Sequence, residues 1–119
     1  LADQSSGVFN GKVIVGEHTK RTNASQSNKN LVLSPSALMN ANPQLEIYAE
    51  DVKCSHGSTT GQIDPEALFY LKSRGLSHDK SMKLIMNGFI SDIIELVKDK
   101  NIAEYLNEAA SLQLEKILV

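Results

Sequence analysis

A change in residue pattern near residue 63 divides this 119-residue chain into two parts with different physical requirements. Residues 1–63 hold six of the nine Asn and five of the seven Gly, and their apolar residues occur only in short clusters. The clusters are residues 13–15, 31–33, 45–48 and 52–54. Because they are aliphatic or β-branched and are separated by Asn, Ser, Gly and Pro, they predict short strands of three to five residues joined by turns.

The spacing of these clusters is compatible with two arrangements of strands. Val13, Val32 and Val52 recur at a nearly constant separation along the chain. A fixed period of roughly 20 residues is typical of one turn of a β-solenoid, but three ordinary strands of one sheet would fit the same positions. The polar segment 22–30 is equally open to two interpretations. It is either a stretch stacked on neighbouring solenoid turns with wet side chains, or a surface loop.

Residues 64–119 carry helix signals instead. Asp64 is an N-cap acceptor, Pro65 suits a first helical position, and Gly75 marks the end of that helix. Ser77 can cap a second helix, whose apolar residues fall on one stripe with helical spacing. The stripe consists of Met82, Ile85, Met86, Phe89, Ile90, Ile93, Ile94 and Val97.

A third helix is predicted near the end of the chain. Asn101 with Glu104 resembles a capping box at its start. Its apolar stripe consists of Ile102, Leu106, Ala109, Ala110 and Ile117. Leu112, Leu114 and Leu118 lie off this stripe, so the helix is expected to meet apolar surface on two sides. The chain is therefore predicted to be α+β, with a β part in 1–63 and a helical part in 64–119. Because the helical part is small, its helices cannot cover one another completely. Some of their apolar surface is therefore expected to meet the β part or another protein.

Composition excludes several classes of function. A formal charge of −2 and a pI near 5.9 give no electrostatic case for binding nucleic acid or an anionic membrane. No apolar run approaches the roughly 18 residues that a membrane span needs. A single Cys cannot form an internal disulfide, which fits a reducing cytoplasm. The chain opens without an initiator Met or a secretory signal, so we expect it to be a part of a longer protein.

Cys54 and His56 are the reactive side chains closest together in the sequence. On a strand, positions i and i+2 face the same way and lie roughly 6.6 Å apart. A thiolate and an imidazole could share a soft metal or an iron–sulfur species, but two ligands leave the site incomplete within this chain, so the others would come from a partner. The alternative is a buried Cys that packs beside a hydrogen-bonded His.

Other chemistry has weaker support. Cys54 and His56 have no identifiable third group to orient them, which argues against a thiol hydrolase. Segment 56–61 lacks the Lys of a phosphate-binding loop and is interpreted as the turn out of the last strand. Glu50 and Asp51 are adjacent, so on a strand they face apart, as at a solvated corner.

Longer segments resemble a known family. QLEIYAEDVKCSHG at 44–57, followed by GQIDPEALFYLKSRG at 61–75, is similar to the C-terminal signature of the SufB/SufD family, the scaffold components of the SUF iron–sulfur cluster assembly machine. GVFNGKV at 7–13 and TNASQSNKNL at 22–31 resemble that family's last β-helix turns. MNGFI at 86–90 resembles part of its helical domain.

The resemblance implies a fold and a role. The fold would be the end of a right-handed parallel β-helix (1–63) followed by a C-terminal helical domain (64–119). The role would be that of a non-enzymatic scaffold that holds a transient iron–sulfur cluster in a complex and no tightly bound cofactor in isolation. The Cys-Ser-His-Gly run at 54–57 is similar to the SufD branch, in which His56 would lie opposite a cysteine of a SufB-like subunit, with Cys54 as its near neighbour.

The resemblance also implies further partners. The helical domain would dock a SufC-like subunit, an ABC-type ATPase. The candidate docking residues are Leu68, Phe69, Tyr70, Met82, Met86, Phe89 and Ile90. A purely structural module that docks the ATPase and contributes no cluster ligand is the alternative. The family's N-terminal region is absent from this sequence, so an open solenoid turn would invite self-association into a homodimer.

Overall fold

The computed structural model describes residues 1–117 and contains four strands followed by three helices. The elements are β1 (Ser6–Val15), β2 (Thr22–Val32), β3 (Leu38–Ile47), β4 (Val52–Gln62), α1 (Pro65–Ser73), α2 (His78–Ile94) and α3 (Lys100–Ile117). The predicted α+β class is confirmed. The strands form one compact unit, Leu1–Gln62, and the helices belong to a second unit that begins at Ile63. No helix within the described residues is long and apolar enough to span a membrane.

The four strands form two parallel pairs, in which the chain alternates from one pair to the other. β1 pairs with β3, and β2 pairs with β4. The register aligns Ser6 with Leu38 in the first pair and Thr22 with Val52 in the second. Consecutive strands therefore belong to different sheets. Each strand pairs with the second strand after it, so one repeat of the pattern contains two strands and two connecting segments.

The repeat of roughly 20 residues suggested by the spacing of Val13, Val32 and Val52 is therefore wrong. Val13 is aligned with Leu45, not with Val32, because β2 belongs to the other sheet. The predicted strand length is also wrong, since the strands have ten or eleven residues and not three to five. Backbone pairing carries each strand well beyond its apolar cluster into polar sequence.

The polar segment 22–30 lies within β2, so its interpretation as a surface loop is wrong. Its side chains make hydrogen bonds along and across the sheet. Asn30 Nδ2 donates to Asn28 Oδ1 at 2.6 Å and to the Thr59 carbonyl of β4 at 3.0 Å. Ser58 Oγ of β4 donates to the same Asn28 oxygen at 3.0 Å. Polar contacts between β2 and β4 thus supply part of what apolar burial supplies in an ordinary strand.

Alternate residues of β1, β2 and β3 are partly buried, which defines an inner face for each strand. Val15, Val32 and Ala37 are the buried apolar residues of this unit. On the inner face of β1, Gly11 lies against the Gln26 amide and the Phe9 ring, where an added Cβ would overlap both. Glycine at this position makes room for a polar side chain inside the unit.

An ion pair joins β1 to β3 on the exposed surface. Lys12 Nζ donates to Glu46 Oε1 at 2.6 Å. This hydrogen bond raises the pKa of Lys12 and lowers the pKa of Glu46. The stabilisation is fully present between the unfolded pKa values of the two groups, near 4.5 and 10.5. It is lost as the pH falls through the folded pKa of Glu46 or rises through that of Lys12.

The predicted starts of the first two helices are confirmed. The Asp64 carboxylate accepts from the Glu66 backbone N–H at 2.9 Å, with Pro65 in the first turn. Gly75 follows the helix with φ of +92°, a conformation that glycine adopts without strain. The Ser77 hydroxyl accepts from the Lys80 N–H at 3.4 Å. Helix α2 ends at Ile94, before the last residue of the predicted stripe.

The predicted start of the third helix is wrong. α3 begins at Lys100, and the Asp99 carboxylate accepts from the backbone N–H groups of Asn101 and Ile102 at 2.9 and 3.2 Å. Asp99 therefore caps the helix two residues before the Asn101–Glu104 box, where a negative charge also favours the positive end of the helix dipole.

The buried face of α3 differs from the predicted stripe as well. Leu114 is its one buried residue among those described, with 5% of its surface exposed, and Ala103 and Ala110 are half-buried on the same side. Ile102 and Leu106 are exposed. Leu114, one of the leucines that lie off the predicted stripe, is thus covered, whereas Leu118 lies outside the described residues.

We predict that Gly11→Ala destabilises the strand unit by about 1–3 kcal/mol, because the methyl group displaces the Gln26 amide or the Phe9 ring. Urea unfolding followed by circular dichroism measures the change. Gly16→Ala is the matched control, since no atom lies within 4 Å of its added Cβ. Equal unfolding midpoints for the two variants would show that Gln26 moves aside at no cost.

We predict that Asp99→Ala costs about 1 kcal/mol of stability, because two backbone N–H groups of α3 lose their acceptor. Asn101→Ala is the control and should change the free energy of unfolding by less than about 0.5 kcal/mol. A larger loss in Asn101→Ala than in Asp99→Ala would restore the capping box expected from the sequence.

Candidate functional site

Strand β4 holds Cys54 and His56 on one face. The two residues are separated by one position, and alternate residues of a strand share a face. In the parallel pairing, Cys54 is aligned with Ala24 and His56 with Gln26. The Cys54 thiol is free and half-buried, whereas His56 is exposed. The structure therefore brings the two predicted residues together on the face of the β2–β4 sheet that carries the partly buried residues of β2.

Burial along β4 changes at this position. Val52 and Cys54 alternate with exposed neighbours, as on the other strands, but every residue from Ser55 to Gln62 is exposed. Within the described part of the chain, β4 forms backbone pairs with β2 alone. The second half of β4 thus offers two accessible faces and an edge with unpaired backbone groups, which is the form of a surface that pairs with another strand.

The interpretation of segment 56–61 as a turn is wrong, because β4 continues through it to Gln62. Gly57 and Gly61 are aligned with Ser27 and Leu31 of β2. Extended backbone of this kind spaces its N–H groups along the ladder and does not gather them around a phosphate. Glu50 and Asp51 are exposed in the turn before β4, as expected for a solvated corner.

The chemistry available at the site is that of one thiol and one imidazole. Within residues 1–117, no three side chains of His, Cys, Asp or Glu are grouped closely enough to hold a metal ion. A thiolate and an imidazole bind soft and borderline metals such as iron and zinc. Four-coordinate sites need two further ligands. Cys54 and His56 can therefore form one half of such a site, with the other half supplied from outside this chain.

Sequence reasoning did not single out Gln26, the neighbour of His56 in the sheet. The Oε1 atom of Gln26 is buried and accepts no hydrogen bond from the described residues. Its side chain lies on the inner face, against Gly11. The sequence shows a polar residue within segment 22–30, but only the strand and its register show that Gln26 occupies an inner position.

The proposed docking residues of the helical unit differ in exposure. Phe69 and Tyr70 on α1 are 74% and 55% exposed, and the Arg74 guanidinium lies 5.1 Å from the centre of the Tyr70 ring. Leu68, Met82, Phe89 and Ile90 are half-buried. Met86 is only 3% exposed and belongs to the core of the unit, so its burial does not favour it as a docking residue.

Part of the exposed apolar surface in this unit lies outside the predicted docking residues. Leu96, Tyr105 and Leu112 are exposed, although none belongs to the predicted docking set. Tyr105 and Leu112 lie on α3, whose buried face was wrongly assigned, and Leu96 follows the end of α2.

A family model and individual relatives both match this chain to proteins of iron–sulfur cluster assembly. The model of the family described as "SUF system FeS cluster assembly, SufBD core domain" matches residues 1–89. The iron–sulfur cluster assembly protein SufD of Escherichia coli is 39% identical over 104 residues, which are 87% of this chain and 25% of that protein. An iron–sulfur cluster assembly SufBD family protein of Synechocystis is 38% identical over 109 residues, 92% of this chain and 24% of that protein.

A third relative is more distant. The iron–sulfur cluster assembly protein SufD of Bacillus subtilis is 34% identical over 94 residues, 79% of this chain and 22% of that protein. The chain thus spans about a quarter of the length of the curated relatives that it matches.

Proposed function

The chain belongs to the SufBD family of iron–sulfur cluster assembly proteins, and we propose that it is part of a scaffold that contributes one side of a nascent cluster site. In this role it is not an enzyme. Iron and sulfide are its cargo, and the cluster is held transiently between this chain and a SufB-like subunit.

The observation that carries this proposal is the position of Cys54 and His56. The two residues share one face of β4, beside the half of the strand that is exposed on both faces. One soft sulfur ligand and one nitrogen ligand suit an iron–sulfur species but do not complete its coordination. An accessible, half-complete ligand set next to an unpaired strand edge is what a cluster site shared by two chains requires.

The strand order supports a β-helix as the framework of the site. The chain alternates between two parallel pairs, and each pair joins a strand to the second strand after it, as a coil with two strands per turn would. We infer that the strand unit is the end of a right-handed parallel β-helix. Its last turn would pair with the SufB-like subunit through the free edge of β4, where backbone groups await partners.

The exposed aromatic residues of α1 support a second contact. Phe69 and Tyr70 are large, adjacent and mostly exposed, and aromatic residues are enriched at the centres of protein interfaces. We propose that they dock a SufC-like ATPase, together with the half-buried residues of the α2 stripe.

A second candidate function is a docking module without a cluster ligand. The high exposure of Phe69 favours it, because an exposed aromatic surface suits a docking contact whether or not His56 binds a cluster. Under this alternative, Cys54 is a small half-buried residue of the sheet and His56 is a solvated side chain.

We predict that His56→Ala, in the complete assembly complex, lowers the yield of reconstituted cluster by roughly tenfold or more, as expected when a metal ligand is lost. Iron and sulfide content and the charge-transfer absorbance of the cluster measure the yield. His18→Ala is the matched control, because His18 lies in the turn between β1 and β2. Wild-type yield from His56→Ala would exclude His56 as a ligand and favour the docking module.

We predict that Phe69→Asp weakens binding of the ATPase subunit by roughly tenfold or more, because a charge replaces a central aromatic contact. Isothermal titration calorimetry with the purified ATPase measures the affinity. Tyr105→Asp, at an exposed aromatic residue of α3 outside the docking set, is the control. Equal affinities for Phe69→Asp and the wild type would move the contact away from α1.

A further inference from the structure

Gln26 carries a buried hydrogen-bond acceptor without a donor. Its Oε1 atom is inaccessible to solvent and receives no hydrogen bond from the described residues. Its Nε2 atom occupies the space that a Cβ on Gly11 would need, so the Gln26 amide packs against β1. A buried carbonyl oxygen that lacks a donor is costly, and it retains a strong capacity to accept one.

The register places Gln26 beside His56. Gln26 and His56 are aligned in the parallel pairing of β2 with β4. Aligned residues of neighbouring strands share a face, and their backbones lie about 4.8 Å apart. A glutamine side chain and an imidazole ring are both long enough to meet across that distance.

The other residues of β2 near His56 on this face do not compete. Ala24 has no side-chain acceptor, and Asn28 Oδ1 already accepts from both Asn30 and Ser58. His56 is exposed, so its ring is free to turn toward β2. Gln26 is therefore the side chain of β2 beside His56 that has an acceptor to offer.

We propose that Gln26 is a positioning residue for His56, whose Nδ1–H donates a hydrogen bond to Gln26 Oε1. A neutral imidazole has one N–H and one bare nitrogen, so this bond leaves Nε2, at the tip of the ring, with its lone pair available. Histidines that bind metals donate their other N–H to a fixed acceptor in the same way. The hydrogen bond stands on the sheet geometry, and only the use of Nε2 rests on the proposed cluster site.

The test is the tautomer of His56, measured at alkaline pH by nitrogen-15 NMR on the intact protein with labelled histidine. In the wild type we expect the Nδ1–H form to predominate, whereas an unconstrained imidazole favours Nε2–H. Gln26→Met keeps the length of the side chain but removes the acceptor. It should shift the ratio toward Nε2–H by roughly fivefold. His18 and His78 are controls in the same spectrum and should not change.

A conservative variant distinguishes this role from a purely structural one. Gln26→Glu supplies a carboxylate acceptor and should retain or increase the Nδ1–H form, even if Gln26→Met does not fold. Predominance of Nε2–H in the wild type would overturn the proposal, and so would a His56 ratio that is the same in every folded variant. A confirmed hydrogen bond together with normal cluster yield from His56→Ala would overturn the cluster site and leave the positioning by Gln26 intact.

Discussion

The parallel pairing of β2 with β4 is the interaction on which the site depends. It aligns His56 with Gln26 and Cys54 with Ala24, so inner-face residues of β2 are the neighbours of Cys54 and His56 on β4. A slip of one residue would move the thiol and the imidazole to the opposite face of the sheet. Because β2 has few apolar residues, the register is supported by hydrogen bonds such as that from Asn30 to the Thr59 carbonyl.

The polar character of these strands has a consequence for assembly. An apolar strand with two open faces and a free edge would aggregate, whereas Ser, Thr and Asn side chains keep such a strand hydrated until a specific partner pairs with it. The exposed half of β4 is of this polar kind. Polar residues made segment 22–30 resemble a loop, and β4 carries similar residues. Such residues are thus suited to a surface that stays hydrated until a second chain pairs with it.

The parts of the fold that were predictable from the sequence are those with a local physical cause. Asp64 and Ser77 cap helices because their side chains satisfy nearby backbone N–H groups. The strand lengths and the pairing period depend on backbone contacts between residues that are far apart in the sequence, and polar strands leave no apolar pattern to reveal them. The spacing of Cys54 and His56 was likewise visible, but the buried Gln26 acceptor appears only once the register is known.

An incomplete ligand set is an advantage for a protein that must release its cargo. Four ligands fixed within one folded chain bind a metal so tightly that it becomes part of the folding energy. A site divided between two chains loses half of its ligands when the interface opens, so the affinity for the cluster is governed by a conformational change. In the proposed role, Gln26 would orient His56 before a partner arrives, and the exposure of β4 would let the partner's ligands reach the same face. The ring would then be held at little cost in conformational entropy, while the cluster itself remains dependent on the second chain.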